Sequence, residues 1–140
     1  MGEGGFVIRS VLLGSVLAVG LAASAFTQAR AAGDAAAGEK TALICRACHQ
    51  IGPGAKNAVG PVLNGVVGRK AGTYPGFDYS SANKSSGITW TPAELDKYLT
   101  NPQKVVPGTK MIFPGLPNEQ DRQNVIAYLE TFGPDGQKKK

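Results

Sequence analysis

The chain has 140 residues, a formal net charge of +5, two cysteines, one histidine and two methionines, and 42% of it is hydrophobic. That length holds one small domain, and two cysteines cannot build a disulfide framework. Long repeats, heptads, low-complexity tracts and nucleic-acid-binding motifs are all missing.

At the amino end Arg9 leads an uncharged run over 10–29, and Ala29-Arg30-Ala31 is a small-x-small cleavage signal. The run is long enough to span a bilayer. Ser10, Ser15, Ser24, Thr27 and Gln28 dilute it, however, and its apolar core is nearer 11–25, which fits a secretory signal better than an anchor. The reading is a signal peptide over 1–31, cleaved after Ala31, with an uncleaved membrane anchor as the alternative. Either way the domain is exported, and the expected compartment is the periplasm. Residues 32–134 then form the domain and 135–140 a basic tail.

Glycine and proline make about a fifth of what remains, and aromatics are few. A chain this poor in bulky core material needs a filler, and a bound cofactor or metal is the expected one. Asp34 before Ala35-Ala36-Ala37 reads as the cap of a helix running through Glu39, Leu43 and Ala47. From Ile51 to Gly76 the chain is punctuated by Gly52-Pro53-Gly54, Gly60-Pro61 and Pro75-Gly76 and shows no alternation, which predicts a long structured loop. Thr91-Pro92-Ala93-Glu94 is a capping box opening a helix over about 92–100, and Asn101-Pro102 opens a short turn. Asn118 caps the last helix, with Val125, Ile126, Leu129 and Phe132 on one face and Gly133-Pro134 as its stop. No strand is predicted.

Cys45-Arg46-Ala47-Cys48-His49 is C-x-x-C-H, the pattern at which two thiols take the vinyl groups of a haem and the adjacent imidazole binds its iron. On a helical turn, cysteines three apart share a face. A thioredoxin-type dithiol would want a βαβ setting, and a zinc site a fourth Cys or His; neither is supplied. A plain disulfide stays open. For the second axial position, Met111 is the only thioether outside the leader and sits in an irregular loop; Lys110 or an open site is the alternative.

The chain resembles the class I c-type cytochromes, and among them bacterial periplasmic relatives of mitochondrial cytochrome c. Beyond C-x-x-C-H the resemblance rests on Val59-Gly60-Pro61, Gly65-Val66-Val67-Gly68-Arg69-Lys70, Pro75-Gly76-Phe77-Asp78-Tyr79, Ala82-Asn83-Lys84, Gly87-Ile88-Thr89-Trp90 and 107–113. It implies an all-α fold of about four to five helices and long loops around one covalently bound haem c. Cys45 and Cys48 would hold the haem, with His49 and Met111 on its iron. Pro61 would offer its carbonyl to His49. Arg69, Tyr79 and Trp90 match residues around a buried propionate, and Asn83, Tyr98 and Thr109 match a polar network beside the sulfur. Phe113 would cover the haem edge. Three positions depart from the family pattern. Ala42 stands where a large aromatic is usual, so the packing of the first helix is expected to weaken unless Leu43 or Ile44 fills in. Ala58 and Gln103 stand where many relatives carry lysines, which leaves the docking face open.

The resemblance implies a monomeric one-electron carrier, not an enzyme. Its expected partners are a quinol-oxidising cytochrome bc complex and a terminal oxidase or photosynthetic reaction centre, with no nucleic acid. A haem enzyme or gas-binding protein with an open sixth position is the rival. After the leader, 13 basic residues face 9 acidic ones. Lys56, Lys70, Lys104 and Lys110 would steer acidic partners in a salt-sensitive way.

Overall fold

The structure is a computed structural model that describes residues 1–2 and 32–140. The leader read over 1–31 lies outside the described residues, but for its first two. Five α-helices occur among them: α1 (Ala35–Thr41), α2 (Ser81–Ser85), α3 (Pro92–Thr100), α4 (Pro102–Val105) and α5 (Glu119–Glu130), with a 3-10 turn at Cys45–Ala47. No described helix is long and apolar enough to cross a membrane. Extended pairing among the described residues is limited to isolated antiparallel bridges, Lys70 with Thr89 and Phe132 with Lys138.

Local chemistry accounts for most boundaries. Asp34 caps α1 by accepting from the amides of Ala36 and Ala37, and Thr91 caps α3 by accepting from that of Glu94. Asn101 caps α4, and Asn118 caps α5 with Glu119 and Asp121 in its first turn, on the positive end of the dipole. Two elements differ from the sequence expectation. The first helix stops at Ala42, because Leu43 and Ile44 bond back three residues, to Lys40 and Thr41, and tighten the chain into the 3-10 turn that carries the cysteines. The sequence reading has no counterpart of α2: its one apolar residue is Ala82, too little for a stripe, and Ser80 accepts from the amide of Asn83 as its cap.

The two ends of the domain meet where α1 crosses α5. Gly38 is the contact point: a Cβ there would run into the carbonyl of Asn124 and lie 2.9 Å from Cβ of Tyr128. The backbone amide of Asp34 donates to the buried side chain of Asn124 over 2.8 Å, fixing the register. Ala42 is fully buried, while Leu43 and Ile44 are 66% and 52% exposed, so neither fills the place of the missing aromatic. Bulk comes instead from Tyr128 of α5 and from Phe132, which follows the helix rather than ending it; the two pack edge to face at 5.1 Å, and Arg46 donates to the Tyr128 hydroxyl over 3.0 Å.

α3 is tied to α5 by Arg122, which is only 8% exposed. Its Nε donates to Asp96 over 2.8 Å, and its Nη1 donates to the carbonyls of Leu116 and Pro117. The chain around 62–90 is bound to itself by Gly68 donating to Trp90, Trp90 to Arg69, and Ala71 to Ile88. The residues read as a basic tail are part of the fold as far as Lys139: Gly133 donates to Gln137 and Lys139 to Thr131, and Gly136 sits against Gly52 and Asn64.

Candidate functional site

The 3-10 turn, the long loop, α2, α3, the 107–113 loop and α5 all face one cavity of about 280 Å³. Its lining includes each of the residues picked out from sequence: Cys45, Cys48, His49, Pro61, Arg69, Tyr79, Asn83, Trp90, Tyr98, Thr109, Met111 and Phe113. Leu95, Leu99, Val125 and Leu129 complete an apolar wall from α3 and α5. These four were legible only as helix faces; their spacing shows which side is apolar and not what it meets.

On one side His49 Nδ1 lies 2.6 Å from the Pro61 carbonyl oxygen. A carbonyl only accepts, so Nδ1 carries the proton and a neutral ring keeps the Nε2 lone pair available. Burial is the main influence on this imidazole and pushes its pKa down, against the opposing effect of the Pro61 bond. Gly60 is required here by closeness: a Cβ would touch the ring, 2.6 Å from Nδ1 and 2.8 Å from Nε2. Cys45 and Cys48 are not joined to each other as a disulfide, and burial raises the pKa of the Cys45 thiol.

On the other side a small polar network holds Met111. Tyr98 Oη donates to Met111 Sδ over 3.5 Å, and Tyr98 and Thr109 hydroxyls are 3.3 Å apart. Thr109 Oγ1 also accepts from Asn83 Nδ2 and from the Met111 amide. With two acceptances filled, the threonine's own hydrogen goes to Tyr98, which frees the phenol hydrogen for sulfur. Burial pushes the Tyr98 pKa up, so the phenol stays protonated.

Arg69 does more than the resemblance implied. It donates to the carbonyls of Val62 and Asn64, both at 3.0 Å, and stacks over Tyr74, bracing the loop that carries Pro61. Lys110 is likewise not a free steering charge, since its ammonium is 2.7 Å from the Asp78 carboxylate. Around the mouth, Ile44, Val59 and Ile112 are exposed, Ile112 to 96%.

The cavity suits a haem c. Its walls are apolar, its two thiols sit on one tight turn, and a nitrogen and a thioether donor line it, held by partners of their own. A family model described as Cytochrome c matches residues 35–133. The chain belongs to the cytochrome c family. It is 64% identical over 107 residues to cytochrome c2 of Rhodoblastus acidophilus, an alignment covering 76% of this chain and 100% of that one. Cytochrome c2 of Blastochloris viridis is 56% identical over 109 residues, covering 78% and 86% of the two chains. Among solved structures, cytochrome cH from Methylobacterium extorquens aligns with a TM-score of 0.67 at 51% identity over 71% of this chain and 99% of its own. Cytochrome c2 from Rhodospirillum centenum aligns at 0.70 and 44% identity, over 73% and 100%.

As a member of that family the protein carries covalently bound haem c, and Cys45 and Cys48 are its two thiols. It is an electron carrier between membrane redox complexes, not an enzyme.

Proposed function

We propose that His49 and Met111 are the two axial ligands of this cytochrome. We further propose that it works in the periplasm, after removal of residues 1–31, between a quinol-oxidising cytochrome bc complex and a terminal oxidase or photosynthetic reaction centre. The observation that carries the ligand assignment is that one apolar cavity contains an imidazole oriented through Pro61 and a thioether oriented through Tyr98.

When bound, haem c supplies a one-electron Fe(II)/Fe(III) couple. The chain's contribution is to fix donors and exclude water. Pro61 makes His49 a more basic ligand, as outer partners of metal-bound histidines do. The Tyr98 hydroxyl withdraws density from the Met111 sulfur, and a thioether in a dry apolar pocket favours the reduced state. Arg69, Tyr79 and Trp90 offer charge and donors where a propionate would leave water. With His49 and Met111 both holding the iron, oxygen and peroxide would find no place on it.

The optical spectrum of the ferric protein tests this. A far-red sulfur-to-iron charge-transfer band is expected in the wild type and lost in Met111→Ala, with a lower potential and rapid carbon monoxide binding by the reduced variant. Haem without that band in the wild type would refute Met111 as ligand and favour Lys110 or an open, enzyme-like site. Intact mass of native material checks the leader: the expected value is that of 32–140 plus one haem.

A further inference from the structure

Apart from the solvent-exposed contacts of Lys110 Nζ with the Asp78 carboxylate and carbonyl, the loop carrying Met111 is thinly held from outside. Pro107, Gly108, Lys110 and Ile112 are exposed, and Gly108 takes a left-handed φ of +88°. The carbonyls of Thr109 and Met111 accept from only one described residue: Gln103, whose Nε2 donates to Thr109 over 3.3 Å and to Met111 over 3.0 Å. A primary amide has two hydrogens, one for each carbonyl. Gln103 lies in the first turn of α4, where Pro102 is fully buried and Asn101 caps the helix, so the amide is mounted on a fixed base.

We propose that Gln103 is a positioning residue that latches the Met111 loop shut and so controls how often the thioether leaves its place. The proposal rests on Met111 being the axial ligand. Gln103 is not among the residues that line the cavity; it acts through the backbone on either side of Lys110. Its side chain is exposed, so removing it leaves the core intact.

The test uses the holoprotein. Imidazole is mixed with the ferric form, and the limiting rate at saturating imidazole reads loop opening. Losing two neutral hydrogen bonds predicts a rate about tenfold higher in Gln103→Ala. Gln103→Glu keeps the length, loses the donors and should be at least as fast; Gln103→Lys restores one donor group and should fall between. Amide hydrogen exchange at Thr109 and Met111 should accelerate in parallel while Val125 and Leu129 in α5 do not change. Wild-type imidazole rates in both the Ala and Glu variants would overturn the proposal, as would equal acceleration at α5, which marks a general loss of stability. The far-red band separates the two readings. If the wild type lacks it, the Met111 assignment fails and takes this proposal with it; if the band is present and the variants behave as wild type, only the latch fails.

Discussion

Gly60→Ala places a methyl group where the His49 ring now lies, 2.6 Å from Nδ1 and 2.8 Å from Nε2. The backbone at Gly60 does not have the positive φ that would itself demand glycine, so the effect isolates the ring contact. Two costs follow. Overpacking a filled site costs about 1–3 kcal/mol. Turning the ring away also breaks the 2.6 Å bond to Pro61, worth about 1 kcal/mol more. The total is about 2–4 kcal/mol, which for a domain of this size lowers the melting temperature by roughly 10–20 °C. Far-UV circular dichroism melts of the holoprotein measure it. The reduction potential should rise as well, because an imidazole that has lost its carbonyl partner is a poorer donor to ferric iron. A variant with wild-type melting and potential would refute the idea that Gly60 exists to let the ring approach Pro61.

Gly38→Ala improves helix propensity by about 1 kcal/mol but drives its Cβ against α5 backbone, so guanidinium titration should show a net loss on the order of 1–2 kcal/mol. Tyr98→Phe removes the donor to the Met111 sulfur; the potential should fall and the far-red band shift, and an unchanged band would sink the network as drawn. Tyr98 also predicts a pH window. Its folded pKa lies above the ordinary phenol value of 10.0, so its contribution to stability is whole below that value and is lost as pH rises through the folded one. Denaturant midpoints measured from pH 8 upward would follow it. Finally, if the remaining lysines steer acidic partners, the bimolecular electron-transfer rate should fall clearly from low to high ionic strength, and a flat profile would defeat that reading.

The parts of this molecule legible in its sequence are those written in local chemistry. Thr91 to Glu94 and Asn118 to Asp121 announce their helices through side chains that bond amides three residues on. Cys45, Cys48 and His49 announce chemistry by spacing. Arg69, Asn83, Tyr98 and Thr109 were reached through family resemblance alone, since no local pattern says that Asn83 and Thr109, 26 positions apart, share a hydrogen bond. Other features were hidden for physical reasons. α2 has no apolar face to betray it. Gln103 reads only as a departure from the family's lysines, and nothing in that tells that its amide bonds the carbonyls of Thr109 and Met111. Gly136 falls in what reads as a basic tail and is in close contact with Asn64 across the fold.

The meeting of α1 with α5 has a kinetic consequence. The Asp34 to Asn124 bond joins residues 90 positions apart, and closing a loop of that length costs about 4 kcal/mol of chain entropy before the contact returns anything. A chain delivered amino end first therefore presents Cys45, Cys48 and His49 long before the helix that completes the domain arrives. Through that interval the thiols stay on an open chain, accessible to covalent chemistry, and the turn that carries them gains its bond from Arg46 to Tyr128 only when α5 arrives.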